Sequence, residues 1–149
     1  MSAGLAGVVH GLVTDLFDWL GDYPDDQVDP AALAVVRDDL LRPHPGTLAE
    51  AVGVLVDLVW WLDACEDDEV DPHVAVKLLE AAVSEIDGMP DEQRRTLVGV
   101  VDELAASEQH AGRHYELRFF AYGMGLADDE PEAEEPAGRQ WVRPVDRGQ

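Results

Sequence analysis

The sequence predicts an all-α fold, an antiparallel bundle of five to six helices followed by an acidic C-terminal tail. Three observations predict it. Apolar residues recur at helical spacing over long stretches, the mark of a helix buried along one face. These stretches begin at helix start signals, Asp29-Pro30, Thr47 with Glu50, and Asp71-Pro72, and end at Gly or Pro. No segment reads as a convincing strand: the Val-rich stretch 98–101 sits inside a longer 3.6-residue pattern.

The first helix spans residues 3–20, where Leu5, Val8, Val9, Leu12, Val13, Leu16, Phe17 and Leu20 form one wide apolar stripe. Gly21 and Pro24 stop it. Asp29 can cap the second helix and Pro30 suits its first position. That helix runs through Leu33, Val36, Leu40 and Leu41 and ends at Pro43 and Pro45. Thr47 and Glu50 form a capping box for a third helix, apolar almost all round from Leu48 to Leu62 and therefore expected at the centre. Asp71-Pro72 opens a fourth, through Val74, Leu78, Leu79, Ala82, Val83 and Ile86 to Gly88. The two Asp-Pro starts hint at a duplicated helix pair, too little to establish a repeat. Pro90-Asp91-Glu92 opens a fifth helix with Leu97, Val100, Val101 and Leu104 inward. It either continues or breaks near Gly112 into a last helix bearing Tyr115, Phe119, Phe120 and Tyr122, ended by Gly123 and Gly125. Short connections imply antiparallel neighbours.

The 149 residues, 46% hydrophobic, suffice for one domain with a substantial core. Composition divides the chain into a helical domain, 1–126, and an acidic, Pro-containing tail, 127–149, with a short Arg/Trp end. The charge contrast between that end (Arg139, Trp141, Arg143, Arg147) and the rest suggests that it folds back with Trp141 as anchor.

The formal net charge is −22, and the tail does not explain it: residues 1–126 hold 25 acidic against 7 basic residues, a balance of −18. Nucleic acids and anionic membranes need positive charge to displace counterions, so direct binding to either is disfavoured. A basic protein partner is favoured, through long-range attraction and steering. The plainer reading of the charge is solubility; salt adaptation is another. Asn is absent, and Lys77 and Ile86 are the sole members of their types, a bias that fits a GC-rich bacterial genome. The single cysteine, Cys65, fits a reducing cytoplasm, and adjacent carboxylates argue against a reactive thiolate. No secretion signal or run of about 20 apolar residues is visible.

Chemistry-bearing motifs are few. Asp63, Glu66, Asp67, Asp68, Glu69 and Asp71, with His73 nearby, crowd one helix end and loop. The alternating ligands, central Gly and twelfth-position Glu of a calcium loop are missing, so this is a hydrated turn or a surface kept for a partner. His110 and His114 share a helical face and form a weak metal candidate, with Asp102, Glu103 and Glu116 as oxygen donors, but no Glu follows the first His as in a zincin. Ser84 and Ser107 lack a nucleophile elbow. Trp60–Trp61 and Phe119–Phe120 are adjacent pairs, and neighbours on a helix diverge by about 100°. One of each pair can face the core, while the other meets a second layer, a partner or solvent.

The expected function is a non-catalytic, cofactor-free protein-binding module, immunity- or antitoxin-like or a nucleic-acid mimic, that occludes a basic partner. Glu66, Asp67, Asp68, Glu69 and Asp71 would steer, and Trp61, Phe120 and Tyr122 would anchor. The alternatives are a metal-dependent helical-bundle enzyme using His110 and His114, and a structural homodimer burying Phe119, Phe120 and Tyr122.

Overall fold

The computed structural model describes residues 3–42, 45–136 and 139–147. Pro43, expected to help end the second helix, lies outside them. Six α-helices follow one another among the described residues: α1 (Ala3–Gly21), α2 (Pro30–Leu41), α3 (Leu48–Ala64), α4 (Pro72–Asp87), α5 (Asp91–Ser107) and α6 (Ala111–Gly123). A single 3₁₀ turn, Pro144–Asp146, lies near the C-terminus. The expected all-α bundle is observed. No helix among the described residues is long and apolar enough to cross a membrane.

The start signals act as their chemistry dictates. Asp29 and Asp71 accept hydrogen bonds from the Ala31 and His73 amides, each with a proline at the first helical position. Thr47 Oγ1 accepts from the Glu50 amide and donates to Glu50 Oε1 at 3.0 Å, so the reciprocal arm of the capping box closes on the hydroxyl. Gly125 ends α6 with a positive φ of 76°. The Leu126 amide donates to Ala121 O and that of Gly125 to Tyr122 O, a Schellman pair that a residue with a Cβ would strain.

The helix α3 is the axis. It touches each of the other five, and ten of its residues are buried, from Ala51 to Leu62. Its wrap-around apolar surface leaves no face for solvent, and Trp60 and Trp61 are both 1% exposed. Around it pack Leu5, Val9, Leu12, Val13, Leu16, Phe17 and Leu20 of α1, Val74, Leu78 and Ile86 of α4, Leu97 and Val101 of α5, and Leu117 and Phe120 of α6.

The two Asp-Pro turns meet. Val28 and Val70, both buried, form an antiparallel bridge; the Asp29 amide donates to Glu69 O at 2.8 Å and the Asp71 amide to Gln27 O at 2.7 Å. The reciprocal bonds give the junction a local two-fold character. It ties the α1–α2 and α3–α4 units together at matching Asp-Asp-X-Val-Asp-Pro segments, 25–30 and 67–72.

The chain does break before the last helix, at Glu108–His110, just ahead of Gly112. The reason is a local cap: His110 Nδ1 accepts from the Arg113 amide at 3.2 Å, and Glu108 accepts from the His110 amide at 3.1 Å.

Candidate functional site: an apolar cleft and an acidic cradle

The helices α4 and α6 both lean on α3 and leave a cleft of about 620 Å³ between them. One wall is the α4 ladder Val76, Leu79 and Val83, spaced three and four residues apart. The other is Tyr115, Phe119 and Tyr122 of α6, with Tyr115 and Phe119 rings 4.4 Å apart. Val56 and Val59 of α3 line the cleft as well. Val76 is 52% exposed and Tyr122 42%. Charged groups join this lining: Glu80 and Asp87 of α4, and Asp63 and Glu116 with the Arg139 that pairs with both.

Beside the cleft lies an acidic cradle filled by the chain's own C-terminal arm, residues 139–147. Arg139 donates from Nε and Nη2 to the two oxygens of buried Glu116, at 2.6 and 2.5 Å, and its Nη1 pairs with Asp63 at 2.7 Å. The carboxylates hold its guanidinium well above the usual arginine range against the opposing effect of burial. Arg143 grips Asp39 of α2 through a two-pronged contact at 2.6 and 2.9 Å. Arg147 reaches Asp57 in the middle of α3: Nη1 donates to Oδ2 at 3.2 Å. Its Nη2 stands 3.1 Å from Oδ1 but off the line of a hydrogen bond, so that contact is purely ionic. The same guanidinium lies over the rings of Trp60 and Trp141, at 5.3 and 5.1 Å, and Trp141 meets Trp60 edge-on at 5.1 Å. The expected fold-back with Trp141 as anchor is thus what the contacts describe. The second face of the Trp60–Trp61 pair is covered by the arm.

Asp57 is 5% exposed and would be untenable alone. Arg113 of α6 donates from Nε to its Oδ1 at 3.1 Å and from Nη1 to Glu108 at 2.6 Å. Burial would lower the Arg113 pKa, but Asp57 and Glu108 raise it on balance. Burial likewise pushes the Glu108 carboxyl up, and the Arg113 hydrogen bond, the His110 amide and the charges of Arg113 and Arg147 bring it below its ordinary value. Two acids and two arginines therefore balance. Gly53 makes room for them, since a Cβ there would stand 2.8 Å from Arg113 Nη2.

The sequence-predicted residues are dispersed. Trp61 and Phe120, expected as surface anchors, are 1% and 4% exposed and belong to the core, because α3 is packed on all sides and Phe120 points inward from α6. Tyr122 alone of the three is exposed, on the cleft. In the acidic turn, Asp71 caps α4 and Glu69 accepts from the Glu66 amide at 3.0 Å, while Glu66, Asp67 and Asp68 face solvent. His110 caps α6 with its ring beside Trp60, and His114 Nδ1 lies 2.8 Å from Ala105 O. The two rings thus serve separate local roles, and Glu116 serves Arg139. Cys65 is pushed up to about 11 by burial first and by Glu69, Asp67 and Glu66 next. Sequence reasoning passed over Asp57, Asp39, Glu80 and Asp87. A charged residue amid Leu55-Val56 and Leu58-Val59 was the available signal for Asp57.

Comparison with protein-family models, with curated proteins and with solved structures found no match for this chain.

Proposed function

We propose that this protein is a non-catalytic binding module that captures a basic protein by seating an amphipathic helix of that partner in the α4–α6 cleft. The observation that carries the reading is the cleft itself: an open apolar trough, within the roughly 300–1,000 Å³ of ligand-binding clefts, lined also by Asp63, Glu80 and Asp87. An amphipathic helix offers apolar side chains at i, i+3 and i+7, matching the spacing of Val76, Leu79 and Val83, and Lys or Arg on its flanks would meet the carboxylates. The −18 charge of residues 1–126 would speed the encounter, and the apolar trough would slow release. Such binding suits an immunity- or antitoxin-like inhibitor that occludes a cationic enzyme. A reducing cytoplasm is the compartment this reading assigns, and a single cysteine is compatible with it.

The test is fluorescence anisotropy with a labelled helical peptide bearing Leu at i, i+3 and i+7 and Lys on its other face. Val76→Glu separates apolar docking from bare attraction, since it adds a negative charge while spoiling the apolar wall. Docking in the cleft predicts at least tenfold weaker binding to Val76→Glu. Equal or tighter binding would reduce the interaction to charge alone and refute the reading. A second copy of this chain is the competing occupant, and light scattering that found a dimer dissociated by Val76→Glu would assign the cleft to it.

A further inference from the structure

We propose that the cradle formed by Asp39, Asp57, Trp60, Asp63 and Glu116 is a second recognition site, for an extended Arg–aromatic–Arg peptide of a partner protein, and that the chain's own residues 139–147 occupy it as a displaceable stand-in. This does not rest on the cleft reading, which concerns a different ligand shape and the apolar α4 and α6 walls; the two sites adjoin at Asp63, Glu116 and Arg139.

The arm displays what the site selects. Arginine is required because each anchor uses guanidinium geometry: two-pronged pairing of Arg139 with Glu116 and of Arg143 with Asp39, and Arg147 stacked on Trp60 while ion-paired to Asp57. A lysine ammonium is a point charge and can neither fork nor stack in this way. The aromatic is required because Trp141 covers Trp60, which is otherwise a large ring at the edge of the core. The spacing is set by the chain itself, Arg139-Gln-Trp141-Val-Arg143 with Arg147 four residues on.

Displacement follows from how the arm is attached and what it leaves behind. Residues 127–136 carry no helix, hold six carboxylates and are mostly exposed, so the arm hangs on a solvated acidic tether. A tether of this length supplies the arm at an effective concentration in the millimolar range, which a partner bound at a second point can match. Three of the four anchors are ionic, and Arg143 is nearly half exposed. When the arm leaves, the two acids of the Asp57 cluster face only Arg113, and Glu116 and Asp63 lose Arg139. A cradle of under-compensated carboxylates would take up another arginine peptide.

The probe is a labelled synthetic peptide of residues 139–147, titrated into the full-length protein and into a full-length arm-release variant carrying Arg139→Ala, Trp141→Ala, Arg143→Ala and Arg147→Ala. The expected result is at least tenfold tighter binding to the arm-release variant, lost when the peptide's arginines are glutamine and weakened by adding Asp39→Asn to the protein. Val76→Glu, the cleft variant, should leave this binding unchanged, so the two readings fail separately. A variant that keeps its helical circular dichroism but binds the peptide no better than the parent does would overturn the proposal. Should the variant fail to fold, hydrogen exchange on the unaltered protein decides: arm amides must exchange faster than those of α3, and excess peptide must speed them further. Arm amides that open only with global unfolding would make the arm a fixed part of the fold and overturn displacement. A concentration-dependent dimer whose arms cross between copies would replace the partner with a second copy and overturn the assignment.

Discussion

Trp141→Ala is the perturbation that measures the arm's hold on the body. A buried Trp removes about 150–250 Å² from water. Trp141 is half-buried, so about 100 Å² is at stake. At roughly 25 cal/mol per Å² this amounts to about 2.5 kcal/mol. The edge-on contact with Trp60, 5.1 Å between centroids, adds about 1 kcal/mol. Residual burial in the unfolded chain takes part of this back, leaving about 3 kcal/mol. In a protein of this size each kcal/mol moves the midpoint by about 3 °C, so the variant should melt about 9 °C lower. The loss has a ceiling: if the arm undocks and the six helices stay folded, it cannot exceed the arm's whole docking free energy. Thermal denaturation by circular dichroism gives the midpoint, and limited trypsin cleavage after Arg139 and Arg147 reports undocking, the Arg143–Pro144 bond being resistant to trypsin. Val145→Ala, at a 63% exposed position on the same arm, should change neither and serves as the control. A Trp141→Ala protein with parental midpoint and trypsin rate would refute the reasoning.

Three further outcomes follow from the buried charges and the thiol. Asp57→Ala leaves Arg147 without its carboxylate and Arg113 with Glu108 alone, and should cost about 3 kcal/mol in urea denaturation. The Glu108 carboxyl titrates below its ordinary 4.5 in the native state, so the stability it confers is complete above that value and is lost as pH falls through the depressed native pKa. The midpoint of the parent should therefore fall more steeply than that of Glu108→Gln between about pH 5 and pH 3; parallel curves would contradict the assignment. Cys65, pushed from 9.0 to about 11, holds roughly a hundredfold less thiolate at pH 8 than an ordinary cysteine and should alkylate correspondingly slowly with iodoacetamide until urea unfolds the chain.

What the sequence revealed, and what it hid, divides by the range of the interaction. Asp29-Pro30, Asp71-Pro72 and Thr47 with Glu50 are read correctly because a cap forms within three residues of itself. The central place of α3 is legible because an all-round apolar helix has no other stable position. The α5–α6 break is legible only to within a few residues, because a histidine is not among the favoured capping residues and only the fold shows His110 doing the task. The exposure of Trp61 and Phe120 is misjudged because periodicity places one member of an adjacent pair outward. It cannot tell which member that is: Trp61 and Phe120 face the core, and Trp60 turns outward to be covered by the arm. The cradle is hidden for a related reason: Arg143 and Asp39 are separated by 104 residues, Arg147 and Asp57 by 90. Only the charge contrast of the tail pointed toward it. The cleft is a gap between α4 and α6, and no local pattern states which two helices will stand apart.

The most direct test of the central claim is a heteronuclear NMR titration of the intact protein with the cationic amphipathic helix. Docking in the cleft predicts that the largest shifts fall on Val76, Leu79, Val83, Phe119 and Tyr122, and that Val76→Glu abolishes them. Shifts centred on the acidic turn 66–71, or none at saturating peptide, would contradict it.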